Sequence, residues 1–112
     1  MIRTIFLYKN YFLDFYRGLD PKTQQKIEFV LDLLRFEQKV PKKFFKTLKN
    51  TNGIYDIRVR TVFKNIRILC FFDQKNRVIL TNCFLKKTQK VPRKEIKLAE
   101  KFKIEYLRNK NV

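Results

Sequence analysis

The chain has 112 residues, with 27 Lys and Arg against 10 Asp and Glu and no histidine, for a formal net charge of +17. An apolar content of 45% is enough for a chain of this length to bury one core, so a single folded domain over residues 1–112 is expected despite the charge. No zinc ligand set, no histidine-based Ser or Cys triad and no run of about 18 apolar residues can be drawn from this sequence, so the expectation is a cytoplasmic protein with no membrane segment, metal or other cofactor.

Residues 2–7 read as a short strand and residues 10–17 as a short helix or turn rich in Tyr and Phe. Asp20 followed by Pro21 starts a helix, with Asp20 as N-cap and Pro21 in the first helical position. Ile27, Val30, Leu31 and Leu34 then recur at helical spacing and carry the helix to about Glu37. Pro41 and the basic run 42–49 read as a connection or short helix, and Asn52-Gly53 supplies a turn. From Ile54 the period changes to two, with Tyr55, Ile57 and Val59 alternating with Asp56, Arg58 and Arg60. Runs at 66–72 and 78–85, separated by residues 73–77, complete an antiparallel meander. Cys70 and Cys83 lie inside these runs and read as buried free thiols. Pro92 opens a last helix in which Ile96, Ala99, Phe102 and Tyr106 share a face. The order predicts an α+β fold, an N-terminal strand and helical hairpin packed on an antiparallel sheet, followed by a C-terminal helix.

Charge is unevenly spread. Residues 1–37 carry six basic and five acidic side chains, whereas residues 38–112 carry twenty-one and five. Positive charge concentrated in this way is suited to a polyanion, and nucleic acid is the leading partner; a generally solvated lysine-rich surface is the plainer alternative. A membrane surface fits less well, because the basic segments are strands and loops instead of one amphipathic helix.

A four-residue turn pairing Arg60 with Asn65 would set Arg58 directly opposite Arg67 on one face. Like charges across a ladder are destabilising. Such a pair calls for a shared anion, and the guanidinium fork matches phosphate; splaying to solvent, or pairing with Asp56 or Asp73, is the alternative. On an open face Arg67 would carry little packing. After the last strand, Lys86 and Lys87 point to opposite faces, so at most one of them joins the arginines.

The successions Thr51-Asn52-Gly53-Ile54-Tyr55-Asp56-Ile57-Arg58-Val59, Asn65-Ile66-Arg67-Ile68-Leu69-Cys70-Phe71-Phe72-Asp73 and Phe84-Leu85-Lys86-Lys87-Thr88-Gln89-Lys90-Val91-Pro92-Arg93-Lys94-Glu95-Ile96 resemble the phage-derived, HigB-like branch of the RelE toxin superfamily. The likeness covers residues 44–106 in motif and the whole chain in element order. It implies a RelE-like fold and the toxin of a type II toxin–antitoxin system, a ribosome-dependent mRNA endonuclease neutralised by a helix-turn-helix antitoxin. The family's basic positions fall at Arg58, Arg67, Lys86 and Lys87; around them, Arg60, Lys64, Thr88 and Lys90 are expected to contact RNA. Some relatives use histidine or a C-terminal tyrosine for proton transfer. This chain has no histidine, and the spacing of Tyr106 makes it a core residue of the last helix.

Cleavage of RNA by its own 2′-hydroxyl needs a base, positive charge on the phosphorane oxygens and an acid for the leaving oxygen. Arg58 and Arg67 supply the charge by clamping the scissile phosphate, and Lys86 or Lys87, with a pKa lowered by like charges, can move the proton. Two rivals stand beside this reading: a ParE-type toxin directed at gyrase, and a non-catalytic basic nucleic-acid-binding domain.

Overall fold

A computed structural model of the protein describes residues 1–110. The elements in chain order are β1 (Thr4–Leu7), α1 (Tyr11–Arg17), α2 (Pro21–Phe36), β2 (Phe45–Thr47), β3 (Tyr55–Arg60), β4 (Asn65–Asp73), β5 (Arg77–Leu85) and α3 (Arg93–Lys110). One five-stranded sheet has the order β1-β5-β4-β3-β2. The β3–β4–β5 meander is antiparallel as expected. Two features differ from the sequence reading. The basic run 42–49 contributes the edge strand β2, which pairs antiparallel with β3, because Phe45 packs against the core on one side while Lys46 and Thr47 face solvent. The N-terminal strand pairs in parallel with β5, a non-local contact that no local pattern encodes.

Helix α2 begins as its sequence dictates. The Asp20 carboxylate accepts from the Thr23 backbone N–H at 3.1 Å and from the Thr23 hydroxyl at 2.6 Å, and Pro21 occupies the first turn, where its missing N–H leaves nothing unpaired. Ile27, Val30, Leu31 and Leu34 are all buried against Ile57, Val59, Ile66, Ile68 and Leu80. Each such side chain contributes about 1.5–3 kcal/mol by leaving water.

The other face of the sheet carries a second core, in which Leu69, Phe71 and Ile79 meet Ala99 and Phe102 of α3. That helix is tied down at both ends. The Asn82 amide donates to the Glu95 backbone oxygen at 3.1 Å and to Glu95 Oε1 at 2.9 Å. Near the other end, the Tyr106 hydroxyl and Lys110 Nζ both donate to the Asp73 carboxylate, at 2.7 and 2.6 Å. Gly53 turns the chain into β3 with φ +71°, and a Cβ there would come within 2.6 Å of Lys103 Nζ. Cys70 and Cys83 are free thiols. No helix among the described residues is long and apolar enough to cross a membrane.

Candidate functional site

The β3–β4 ladder has the register expected from its turn: Arg58 faces Arg67 and Arg60 faces Asn65. Strand alternation sets Asp56, Arg58 and Arg60 on the opposite face from Ile57 and Val59, which pack under α2. The state of Arg67 corrects the open-face expectation. Its side chain is 5% exposed, and Nη1 donates to Oδ2 of Asp56, a carboxylate that is itself 2% exposed. Nε of Arg67 also donates to Asn65 Oδ1 at 3.4 Å. Arg58 is 34% exposed; its Nε lies 4.0 Å from the same Asp56 oxygen, and its Nη1 donates to the Lys42 carbonyl at 3.5 Å. The like-charged pair is therefore held by an anion the strand itself provides.

Burial pushes the Asp56 carboxyl up, opposed by the positive charges of Arg67, Arg58 and Lys86. Burial also draws the Arg67 guanidinium down, against the attraction of Asp56. The hydrogen bond between the two opposes this burial effect, because it favours the ionised form of each partner. Oδ1 of Asp56 has no hydrogen-bond partner among the described residues.

A bulge in β5 decides which lysine joins this face. Cys70 pairs with Leu80 but Ile68 pairs with Cys83, so β5 spends one extra residue opposite Leu69, where the Thr81 hydroxyl donates to the Leu69 carbonyl at 2.9 Å. Before the bulge, Ile79 faces the α3 core; after it, Phe84 does. Arg67 then pairs with Phe84, the Lys86 N–H donates to the Asn65 carbonyl at 2.7 Å, and Lys86 follows on the arginine face. Its Nζ donates to the Gln89 carbonyl at 2.7 Å. Desolvation, followed by repulsion from Arg67 and Arg58, lowers its pKa.

Two clefts meet at these residues. One of about 450 Å³ is lined by Arg58, Arg60, Asn65, Arg67 and Lys86, with Lys26 of α2 and Lys43 and Phe44 from the segment before β2. The other, of about 550 Å³, shares Arg58, Arg67 and Lys86 and adds Asp56, Lys46, Lys49, Gln89 and Lys90 among others. Of the residues singled out from sequence, the structure thus brings together Arg58, Arg60, Arg67, Lys86 and Lys90. Lys87 and Thr88 are exposed and line neither cleft; the Thr88 hydroxyl donates to the Lys90 carbonyl at 2.7 Å. Lys64 is held by Asp20, 2.8 Å away. Tyr106 lines neither cleft and is engaged with Asp73.

The sequence reading left out Lys26, Lys43, Phe44, Lys46 and Lys49 as site residues. Four of the five belong to the basic run 42–49, whose density of charge was the available signal. Lys26 carries none, because its place beside the cleft arises from packing of α2 on the sheet.

These features have relatives. The chain belongs to the family described as Phage derived protein Gp49-like (DUF891), which it matches over residues 14–103 and which is RelE- or toxin-like. Among solved structures, it is similar to a chain in the crystal structure of the archaeal RelE–RelB complex from Pyrococcus horikoshii OT3, with a TM-score of 0.57 at 15% identity, covering 76% of this chain and 96% of that one. The RelE-like α+β fold expected from the motifs is the fold found. No curated protein matches the chain in sequence.

Proposed function

We propose that the protein is the toxin of a type II toxin–antitoxin system and acts as a ribosome-dependent mRNA endonuclease. It would work in the cytoplasm as a single domain, restrained by a helix-turn-helix antitoxin. The observation that carries this reading is the meeting of Arg58, Arg67 and Lys86 on the wall shared by two cationic clefts, in a Gp49-like chain with the RelE fold.

In the reaction the ribose 2′-oxygen bonds to phosphorus as the bond to the 5′-oxygen breaks. A 2′,3′-cyclic phosphate and a 5′-hydroxyl result, with one proton leaving the 2′-hydroxyl and one reaching the 5′-oxygen. Arg58 offers its partly exposed guanidinium to the non-bridging oxygens. Arg67 adds charge from beneath, fixed by Asp56. Lys86, with its lowered pKa, gives a proton to the leaving 5′-oxygen, and solvent water takes the proton of the 2′-hydroxyl. Lys87, Lys64 and Thr88 would serve the RNA backbone further out, with Arg60 and Lys90 nearer the centre. No step calls for a metal. A lysine and arginine site is slow on free RNA, and the ribosome supplies in-line alignment of the strand.

Primer extension on an mRNA in a reconstituted translation reaction, with and without ribosomes, tests the reading. Cuts that require ribosomes and vanish in Arg58→Ala support it. An absence of cuts accompanied by DNA-damage signalling on expression would replace it with the gyrase-directed reading.

A further inference from the structure

The turn joining β3 to β4 carries two apolar side chains that the fold does not use. Val62 is 91% exposed and Phe63 is 92% exposed, and neither belongs to either core. Turns favour Gly, Asn, Asp, Pro and Ser for conformational reasons, and none of these stands at positions 61–64. The turn is nevertheless braced. The Thr61 N–H donates to the Lys64 carbonyl at 2.9 Å, the Lys64 N–H donates to the Thr61 hydroxyl at 3.0 Å, and Lys64 Nζ is bridged to Asp20 at the start of α2 at 2.8 Å. A large ring is thus displayed on an anchored support.

The residues at the two roots of this turn, Arg60 and Asn65, line the cleft that also holds Arg58, Arg67 and Lys86. We propose that Phe63, backed by Val62, is a stacking platform for an unpaired nucleobase of a single-stranded RNA whose phosphates occupy that cleft. This inference rests on the RNA-cleaving reading above and adds a base contact to its phosphate site. Aromatic faces bind bases without regard to sequence, and a backbone held at the root of the turn delivers neighbouring bases to its tip. Charge complementarity favours RNA over a lipid surface, because the cations adjoining the tip line a concave cleft that a strand can enter and a flat bilayer cannot.

The chain has no tryptophan, so Phe63→Trp introduces a single reporter at the tip. The test titrates a short 2′-O-methyl RNA, which resists cleavage, into the native chain, Phe63→Ala, Phe63→Trp and Arg58→Ala, with thermal melts as a folding control. Because Phe63 makes no core contact, the Phe63 variants melt with the native chain. The platform predicts that RNA quenches the emission of Phe63→Trp and that Phe63→Ala binds about tenfold more weakly, the scale of one lost stacked base. An abasic nucleotide at the contacted position weakens the native chain by a similar factor and leaves Phe63→Ala unchanged. Equal RNA affinity of Phe63→Ala and the native chain, with Arg58→Ala still impaired, would overturn the platform and leave the RNA reading standing. If the native chain does not bind RNA, both fall. An emission shift of Phe63→Trp with vesicles of anionic phospholipid, and none with RNA, overturns the platform in favour of a membrane contact.

Discussion

Asp56 and Arg67 form a buried ion pair across β3 and β4, and the same Asp56 oxygen lies 4.0 Å from Arg58 on the rim of the site. One carboxylate therefore offsets the repulsion that two facing arginines would otherwise exert on the ladder. It also sets their exposure apart, with Arg67 buried beside the carboxylate and Arg58 left 34% exposed.

Loss of Arg67 should be costly to the fold. Arg67→Ala leaves Asp56 buried without its partner, and breaking such a pair costs about 3–5 kcal/mol. Joint replacement, Asp56→Leu with Arg67→Met, should recover most of that loss while activity stays low. Urea denaturation measures both. A loss below about 1 kcal/mol in Arg67→Ala would show that the pair is not structural.

The pH dependence of cleavage should carry the mark of Lys86. Burial and the repulsion of Arg67 and Arg58 disfavour its ammonium, so its folded pKa lies below the ordinary lysine value. Acting as the acid, Lys86 is competent when protonated, and the rate falls as pH rises through that lowered pKa. Arg58→Gln removes one repelling charge and should move this alkaline limb to higher pH even as it slows the reaction. A pH–rate profile checks the direction; a limb that stays in place contradicts the coupling.

Acid should loosen the anchor of the β3–β4 turn. Hydrogen bonds from Lys64 and then Thr23 hold the Asp20 carboxyl well below the usual carboxylate range. A depressed folded pKa contributes stability above the unfolded value of about 3.9, and that stability is lost as pH falls through the folded value. Asp20→Asn keeps a capping side chain but removes the charge, so its melting temperature should fall less steeply than the native one below about pH 4. Parallel curves would show that Asp20 takes no part in the acid dependence.

Local patterns were legible where local physics decides. Asp20-Pro21 marked the start of α2, and the four-residue turn after Arg60 set the register that places Arg58 opposite Arg67. What escaped depends on distant partners. β2 is three residues long and is a strand because β3 lies beside it, and β1 pairs with a strand about seventy residues away in sequence. The burial of Arg67 follows from Asp56 being one strand over, whereas an arginine in isolation reads as exposed. The bulge at Thr81 and Asn82 is hidden in a run of good strand formers, yet that extra residue gives Lys86, and not Lys87, the arginine face.

That last distinction makes the sharpest test. Single-turnover cleavage on programmed ribosomes should be compared for Lys86→Ala and Lys87→Ala, both after confirming native melting. The site described here predicts that Lys86→Ala slows the chemical step by about 10²–10⁴-fold, the scale of a lost proton-transfer group, while Lys87→Ala stays within a few-fold of the native rate. Equal losses in the two variants, or a larger loss in Lys87→Ala, would contradict it.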